Sequence, residues 1–483
     1  MGILKLGNDT VTPYVTVETP QYIPREVVNG DLKMPSGVYI LPDGVTDIST
    51  SYGMYFAFRS STITSASFPS LVNITGTSAL SNVFYLDNVL TSIDFRNLKT
   101  VTGSYAMQSA FTSCTALTSV NFSSLERVNA VQAMQGAFKS CTALTSISFP
   151  SLALIGGQNA MQSIFSGCTN LVTVDFGNVE TISGTQAVFS ASTNKSDAFE
   201  NCPALTTINL SKLKTVGQAT LSRAFYGTTI TSMDLHSLTS IGTQAMQNAM
   251  QNCTSLVTLD MSGLKTLGSG SVAPCQHLCN GCTSLVSVDL SSLTTVSSSQ
   301  ALYYAFNGCT SLATVDLGSV TSVNNTSAFE SAFQNCRSLT SVDLSSLQEV
   351  SGSGGKSFLS AFNGCTSLTG ISFTSLTKLS ATQAMQSIFK GCTGLTTFTF
   401  PALTTANYQY VLKGAFENCT NLTSVSFPRL STLGAANNQF NNMLTGVDGC
   451  TVHFKASLQN TMSSWTDVTA GFGGTNTTVL FDL

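Results

Sequence analysis

Charge is scarce in this chain. Asp, Glu, Lys and Arg together make up 9% of its 483 residues, against roughly a quarter in an ordinary soluble protein. The formal net charge is −4, and no cluster of Lys and Arg is present to attract a polyanion, so nucleic acid is an unsuitable partner. No apolar run approaches the roughly 18 residues of a membrane span, so insertion into a bilayer is not expected. The chain has three histidines, His236, His277 and His453, and they stand far apart in the sequence. No glycine-rich phosphate loop follows an apolar strand pattern. Ser is so common that any Ser–His–Asp combination arises by chance. These absences argue against an enzyme, and no cofactor is expected. The N-terminus, Met1 to Asp9, lacks the apolar segment and small-residue cleavage site of a secretory signal. Leu6 stands where a myristoylated chain needs Ser or Thr. The expectation is a chain without a leader of its own, or one from which the leader has been removed.

What the sequence has in abundance is repetition. A Phe, a Cys three residues later and a Leu-x-x-Val-x-Leu run recur from about residue 55 to residue 450. Cys114, Cys141 and Cys168 lie 27 residues apart, as do Cys282, Cys309 and Cys336, and again Cys365, Cys392 and Cys419. The spacing widens to 34 between Cys168 and Cys202, which predicts a protruding loop around Ser190–Lys195. Units near Phe58 and Phe225 lack the Cys. A period of this length means stacked coils that share one continuous core, so about fourteen units form a solenoid.

Within residues 114–140, Leu117, Val120, Phe122 and Leu125 follow leucine-rich spacing and predict a short strand. Val120 and Phe122 should point inward, with Ser119 and Asn121 in solvent. Ala133/Ala137 and Met134/Phe138 are each four apart, which predicts about two helical turns with one apolar face. The fold class expected is therefore an α/β repeat solenoid with a parallel sheet on one face and short helices on the other. Residues 1–50 are expected to form a β-rich N-terminal module or cap, with Ile3–Leu6 and Val11–Glu18 as a hairpin. Residues 51–450 form the solenoid, and residues 451–483, which hold the sole tryptophan, Trp465, form a C-terminal cap.

Units of the form Ala-Phe-x-x-Cys-Thr-x-Leu-Thr-x-Val-x-Leu, shown most plainly by Ala305 to Leu317, resemble the BspA-like leucine-rich repeats of bacterial surface proteins. The resemblance covers over four-fifths of the chain and implies adhesion to host proteins or other bacteria. Hydroxyl-rich repeats of this kind also resemble phage and prophage proteins, which leave the cell by lysis and need no export signal. The expected function is non-enzymatic recognition of a cell-surface protein or glycan, in a phage or prophage appendage or in a secreted or surface adhesin. The competing expectation is a structural decoration with no specific ligand. Either setting places the chain outside the cell or on a virion, attached to a larger assembly through its N-terminal module.

Three side-chain ladders follow from the stacking. The repeated cysteines should be reduced and interior, because Cβ vectors in neighbouring coils run parallel and do not converge on a disulfide. Cys275, His277, Cys279 and Cys282 have metal-like spacing, but Cys279 and Cys282 hold core slots and His277 diverges from them, so no metal is expected. Gln108, Gln135 and Gln162 should stack as amides. On the exposed strand face, Asp234, Asp260, Asp289, Asp316 and Asp343 occupy one position in five consecutive units. Carboxylates about 5 Å apart in water repel by nearly 1 kcal/mol per pair before screening. They form either a solvated face that resists edge pairing or a binding row for a cation or basic ligand. The candidate site is placed there. Tyr52, Tyr55, Tyr85, Tyr105, Tyr303, Tyr304, Tyr408 and Tyr410 fall away from the strands, where a sugar would stack if one binds.

Overall fold

The computed structural model describes residues 3–5, 21–22, 26–28, 37–41, 44–184, 198–268, 272–352, 354–434, 438–462 and 471–483. The chain is a leucine-rich repeat parallel β-solenoid of about 15 turns. It divides into two compact units, Met1–Leu235 and His236–Leu483.

Each coil contributes two short strands. In the first unit, Gly37–Ile40, Ile63–Ser67, Ser92–Asp94 and Ser119–Asn121 pair in parallel. A second row runs from Asp47–Ile48 through Asn73–Ile74 and Thr100–Val101 to Arg127–Asn129 and Leu154–Gly156. The second unit repeats the plan, with Thr258–Asp260, Ser287–Asp289, Thr314–Asp316, Ser341–Asp343 and Gly370–Ser372 in one row. The parallel ladder thus begins earlier than the repeat pattern indicates, at Gln21–Tyr22, which pairs with Gly37–Ile40. It also continues through Thr451–Phe454 to Thr478–Leu480. Near the N-terminus, Ile3–Lys5 pairs antiparallel with Glu26–Val28. The expected partner segment Val11–Glu18, the loop around Ser190–Lys195 and Trp465 lie outside the described residues.

The expected helices are not there. Among the described residues, helix occurs only beyond residue 455, in Ala456–Leu458, Gln459–Met462 and residues 471–472. The Ala-Met-Gln stretches form instead a ribbon of successive turns. In one coil the Gln108 N–H donates to Tyr105 O at 3.1 Å and the Ala110 N–H to Met107 O at 3.2 Å. The amides between them donate to the next coil: Met107 to Ala133 O at 2.7 Å, Ser109 to Gln135 O at 2.8 Å and Phe111 to Ala137 O at 2.8 Å. Every fourth residue takes a left-handed backbone, with φ of 58° at Tyr105, 52° at Ser109 and 63° at Ser113. An α-helix satisfies its amides internally and leaves none to join coils. The ribbon spends half of them on the neighbouring coil, so this side of each unit is hydrogen-bonded between coils just as the strand sides are.

The core is a set of columns. Phe111 stacks on Phe138 with ring centroids 5.2 Å apart, and Phe122 on Phe149 at 5.4 Å. In the second unit Phe400, Phe427 and Phe454 stack at 5.3 and 5.2 Å. All fourteen cysteines are buried and free. Most of the thiols donate to the carbonyl of the ribbon residue one coil back, as Cys114 to Phe84 O at 3.1 Å, Cys141 to Phe111 O at 3.1 Å and Cys419 to Phe389 O at 3.0 Å. Burial pushes the Cys202 thiol up to about 12 and the Cys450 thiol up to about 11, so these two are inert packing groups. Gln108 Nε2 donates to Gln135 Oε1, and Gln135 Nε2 to Gln162 Oε1, each at 2.8 Å.

The slot three residues after the ribbon Phe is not always Cys. Ser61, Asp87 and Thr228 occupy it after Phe58, Phe84 and Phe225. Asp87 has no exposed surface, and the hydroxyl of Ser61 donates to its carboxylate. Burial raises it from 3.8 to about 6. The folded protein therefore holds this proton more tightly than the unfolded chain, and stability falls as pH rises from about 4 to about 6. Two pH units correspond to up to about 3 kcal/mol at neutral pH. Asp87→Cys, which restores the ladder, is predicted to raise unfolding stability more at pH 7.5 than at pH 4.5 in denaturant titrations. An equal gain at both pH values contradicts this assignment.

Candidate recognition surface

The exposed row of carboxylates is built by strand register. Asp260, Asp289, Asp316 and Asp343 are successive Cα partners, followed by Ser372. Their strand neighbours Leu259, Val288, Val315 and Val342 are buried, so the pleat turns each Asp outward. Asp234 ends the strand Ser232–Asp234 of the first unit and is also exposed. Four of the five predicted residues are thus brought into one continuous row within the second unit.

Each carboxylate in that row is held the same way. Its Oδ1 accepts a hydrogen bond from the backbone amide two residues on: Ser262 at 2.9 Å, Ser291 at 3.0 Å, Gly318 at 2.9 Å and Ser345 at 2.8 Å. That bond fixes the side chain over the corner of the coil. A Cβ added at Gly318 would come within 2.9 Å of Asp343 Oδ2 and 3.2 Å of Asp316 Oδ1, so the corner between these two carboxylates is closely filled.

The same row in the first unit is different in chemistry. Asp175 receives Ser148 Oγ at 3.0 Å on Oδ2 and Asn209 Nδ2 at 2.9 Å on Oδ1. Asp94 is paired with the guanidinium of Arg96, whose Nε lies 2.7 Å from Oδ2. There, donors stand between or beside the acids. From Asp260 to Asp343 the acids follow one another directly.

The metal-like group in the second unit is divided by the fold. Cys275, Cys279 and Cys282 are buried, whereas the half-exposed His277 ring stacks on Tyr304 with centroids 5.3 Å apart. The tyrosines lie on the turn ribbon and on the loops that lead into it, as expected of residues away from the strands. Sequence reasoning did not single out Phe56 or Arg59, which join Tyr52, Tyr55 and Tyr85 in one aromatic cluster on the first unit's ribbon. Their position in the ribbon period is the signal that could have found them.

Parallel coils, leucine-rich corners and an exposed strand row define a leucine-rich repeat scaffold. The chain belongs to the BspA-type leucine-rich repeat family, which it matches over residues 40–129, 81–196, 190–280, 276–359 and 359–448. No protein of curated function matches it in sequence. Among solved structures, a leucine-rich repeat protein from Bacteroides ovatus is 17% identical, with 98% of this chain and 99% of that one covered and a TM-score of 0.40. A leucine-rich cell surface protein from Faecalibacterium prausnitzii is 16% identical over 98% of this chain and 95% of its own, with a TM-score of 0.29. A leucine-rich repeat protein from Eubacterium ventriosum is 13% identical over 91% and 93%, with a TM-score of 0.27. Among the described residues no helix is long and apolar enough to cross a membrane.

Repulsion along the row predicts a salt effect. Asp289→Asn removes the charge from a member with an acid on each side. The variant should melt above the parent at low ionic strength, and the difference should vanish in about 1 M NaCl, where the Debye length is near 3 Å. A salt-independent difference means that the carboxylates do not sense one another.

Proposed function

We propose that this chain is a non-enzymatic recognition scaffold that binds a cell-surface protein or glycan, with the row Asp260, Asp289, Asp316 and Asp343 as a binding edge for a basic or cation-bridged partner. The observation that supports this reading is the row itself: four carboxylates in strict register with no interposed base, Asp289, Asp316 and Asp343 exposed and Asp260 half-buried, on a surface otherwise poor in charge. A repeat scaffold separates the interior that fixes the fold from the exposed strand positions, which are free to select a partner. Asp234 is taken to serve the same role in the first unit. The N-terminal module, residues 1–50, supplies attachment to a larger assembly, and residues 451–483 serve as the C-terminal cap of the solenoid. The setting is the exterior of a cell or a virion.

The test is binding of the purified, fluorescently labelled chain to whole cells, with and without calcium, over a panel of bacteria and an epithelial line. Saturable binding is expected, and it should fall at least about tenfold when Asp260, Asp289, Asp316 and Asp343 are all changed to Asn. A narrow bacterial range supports a phage or prophage appendage, and binding to epithelium supports an adhesin. Absence of binding to every cell type contradicts the reading and leaves a structural decoration.

A further inference from the structure

The turn ribbon uses a left-handed backbone at every fourth residue, and most of these positions carry Ser, Asn, Gln or Gly. Bulky side chains at these positions include Tyr304 (φ 52°) and Tyr410 (φ 57°) in the second unit, and they are most concentrated in the first coils. Tyr52 (φ 58°), Phe56 (φ 55°), Leu86 (φ 62°) and Tyr105 (φ 58°) place large apolar side chains in left-handed positions. A left-handed backbone at a bulky residue costs on the order of 1–2 kcal/mol. The inter-coil hydrogen bonds offset the basic cost, but the extra cost of a bulky side chain is not recovered by core burial here, since Tyr52 is 50% exposed and Leu86 is 42% exposed. Strain combined with exposure is the signature of a residue kept for what it presents.

What it presents is a continuous aromatic strip. Tyr52 and Tyr55 meet edge to face at 5.5 Å, Tyr55 and Phe56 at 4.3 Å, and Phe56 and Tyr85 at 6.4 Å. Arg59, itself exposed, lies over two of these rings, with its guanidinium carbon 5.1 Å from the centroid of Phe56 and 5.5 Å from that of Tyr85. Among the described residues no carboxylate lies within ion-pair distance of Arg59. The rings fix the guanidinium by cation–π contact, and its N–H edges stay available for a planar anion.

We infer that this strip is a binding site for an acidic carbohydrate, a sugar ring that carries a carboxylate. The apolar C–H face of the sugar ring stacks on the exposed Tyr52, whose ring Tyr55 holds edge to face, and the carboxylate takes paired hydrogen bonds from Arg59. The neighbouring ribbon residues Ser60 and Asn82 add hydroxyl and amide groups suited to sugar hydroxyls. A partner protein would instead seek a fully desolvated apolar pocket for its anchors. The strip offers exposed ring faces beside polar side chains. The site lies wholly within the first unit and does not depend on the acidic row of the second.

The experiment is a calorimetric and saturation-transfer NMR titration of the full chain with two pairs of probes. One pair is tri-galacturonate and its methyl ester, and the other is sialyllactose and lactose. At least one acidic member should bind, and about tenfold more tightly than its neutral counterpart. Arg59→Gln should abolish that preference, and Tyr52→Ala, at an exposed ring, should weaken binding several-fold with an unchanged melting temperature. Absence of binding by all four probes overturns the proposal. So does equal binding of charged and neutral probes, or an acid preference that survives Arg59→Gln. If the two variants abolish cell binding that persists after enzymatic removal of acidic sugars, the strip contacts protein and the proposal is likewise overturned.

Discussion

The structure depends on backbone hydrogen bonds between coils on the side where no strand runs. The ribbon amides alternate: one closes a turn within its own coil, and the next donates to the coil beyond, as Gln108 to Tyr105 O and Ser109 to Gln135 O. This alternation needs a left-handed residue at every fourth position, and the inter-coil bonds gained there offset the conformational cost. The ribbon also sets the height of the stack. Because each coil is bonded to its neighbours on all sides, identical residues fall directly above one another. The Phe columns, the cysteine ladder and the Gln ladder follow from that one constraint.

Much of this was legible from the residues. The 27-residue step from Cys114 to Cys168 gives the coil, and the alternation of Val120 and Phe122 with Ser119 and Asn121 gives the strand. The same arithmetic places Asp260, Asp289, Asp316 and Asp343 in register, because a parallel ladder without shifts turns equal sequence positions into neighbours. The ribbon was misread for a physical reason. Met134 and Phe138, like Ala133 and Ala137, are four apart, and over eight residues a period of four cannot be told from one of 3.6. The distinguishing signal lies between them, where Gln132, Gly136 and Ser140 recur as residues that tolerate a positive φ. Asp87 is less legible because the cysteines mark the period, and Asp87 stands in the cysteine slot three residues after Phe84 without being one.

The same division explains why the surface is harder to decode than the core. Interior positions are dictated by the column they join, so Cys, Phe and Leu recur. Exposed positions have no such dictation, and their departures from the repeat carry the information. The run of acids without interposed donors is one departure, and the strained, exposed aromatic residues around Arg59 are another. They lie in different units and on different elements, strands in one case and ribbon in the other. Both rest on the ribbon being what it is, since it fixes the register of the strands and presents the aromatic rings.

Ser109 tests that claim most directly. It sits in the middle of the ribbon with φ 52°, and Gly136 already fills the same slot one coil on. If the ribbon is present, Ser109→Gly should be more stable than Ser109→Ala by about 1 kcal/mol in denaturant titrations, because only glycine accepts a left-handed backbone without cost. In a helix the order reverses by about the same amount, since Ala is favoured over Gly. An alanine variant that is the more stable of the two would contradict the account.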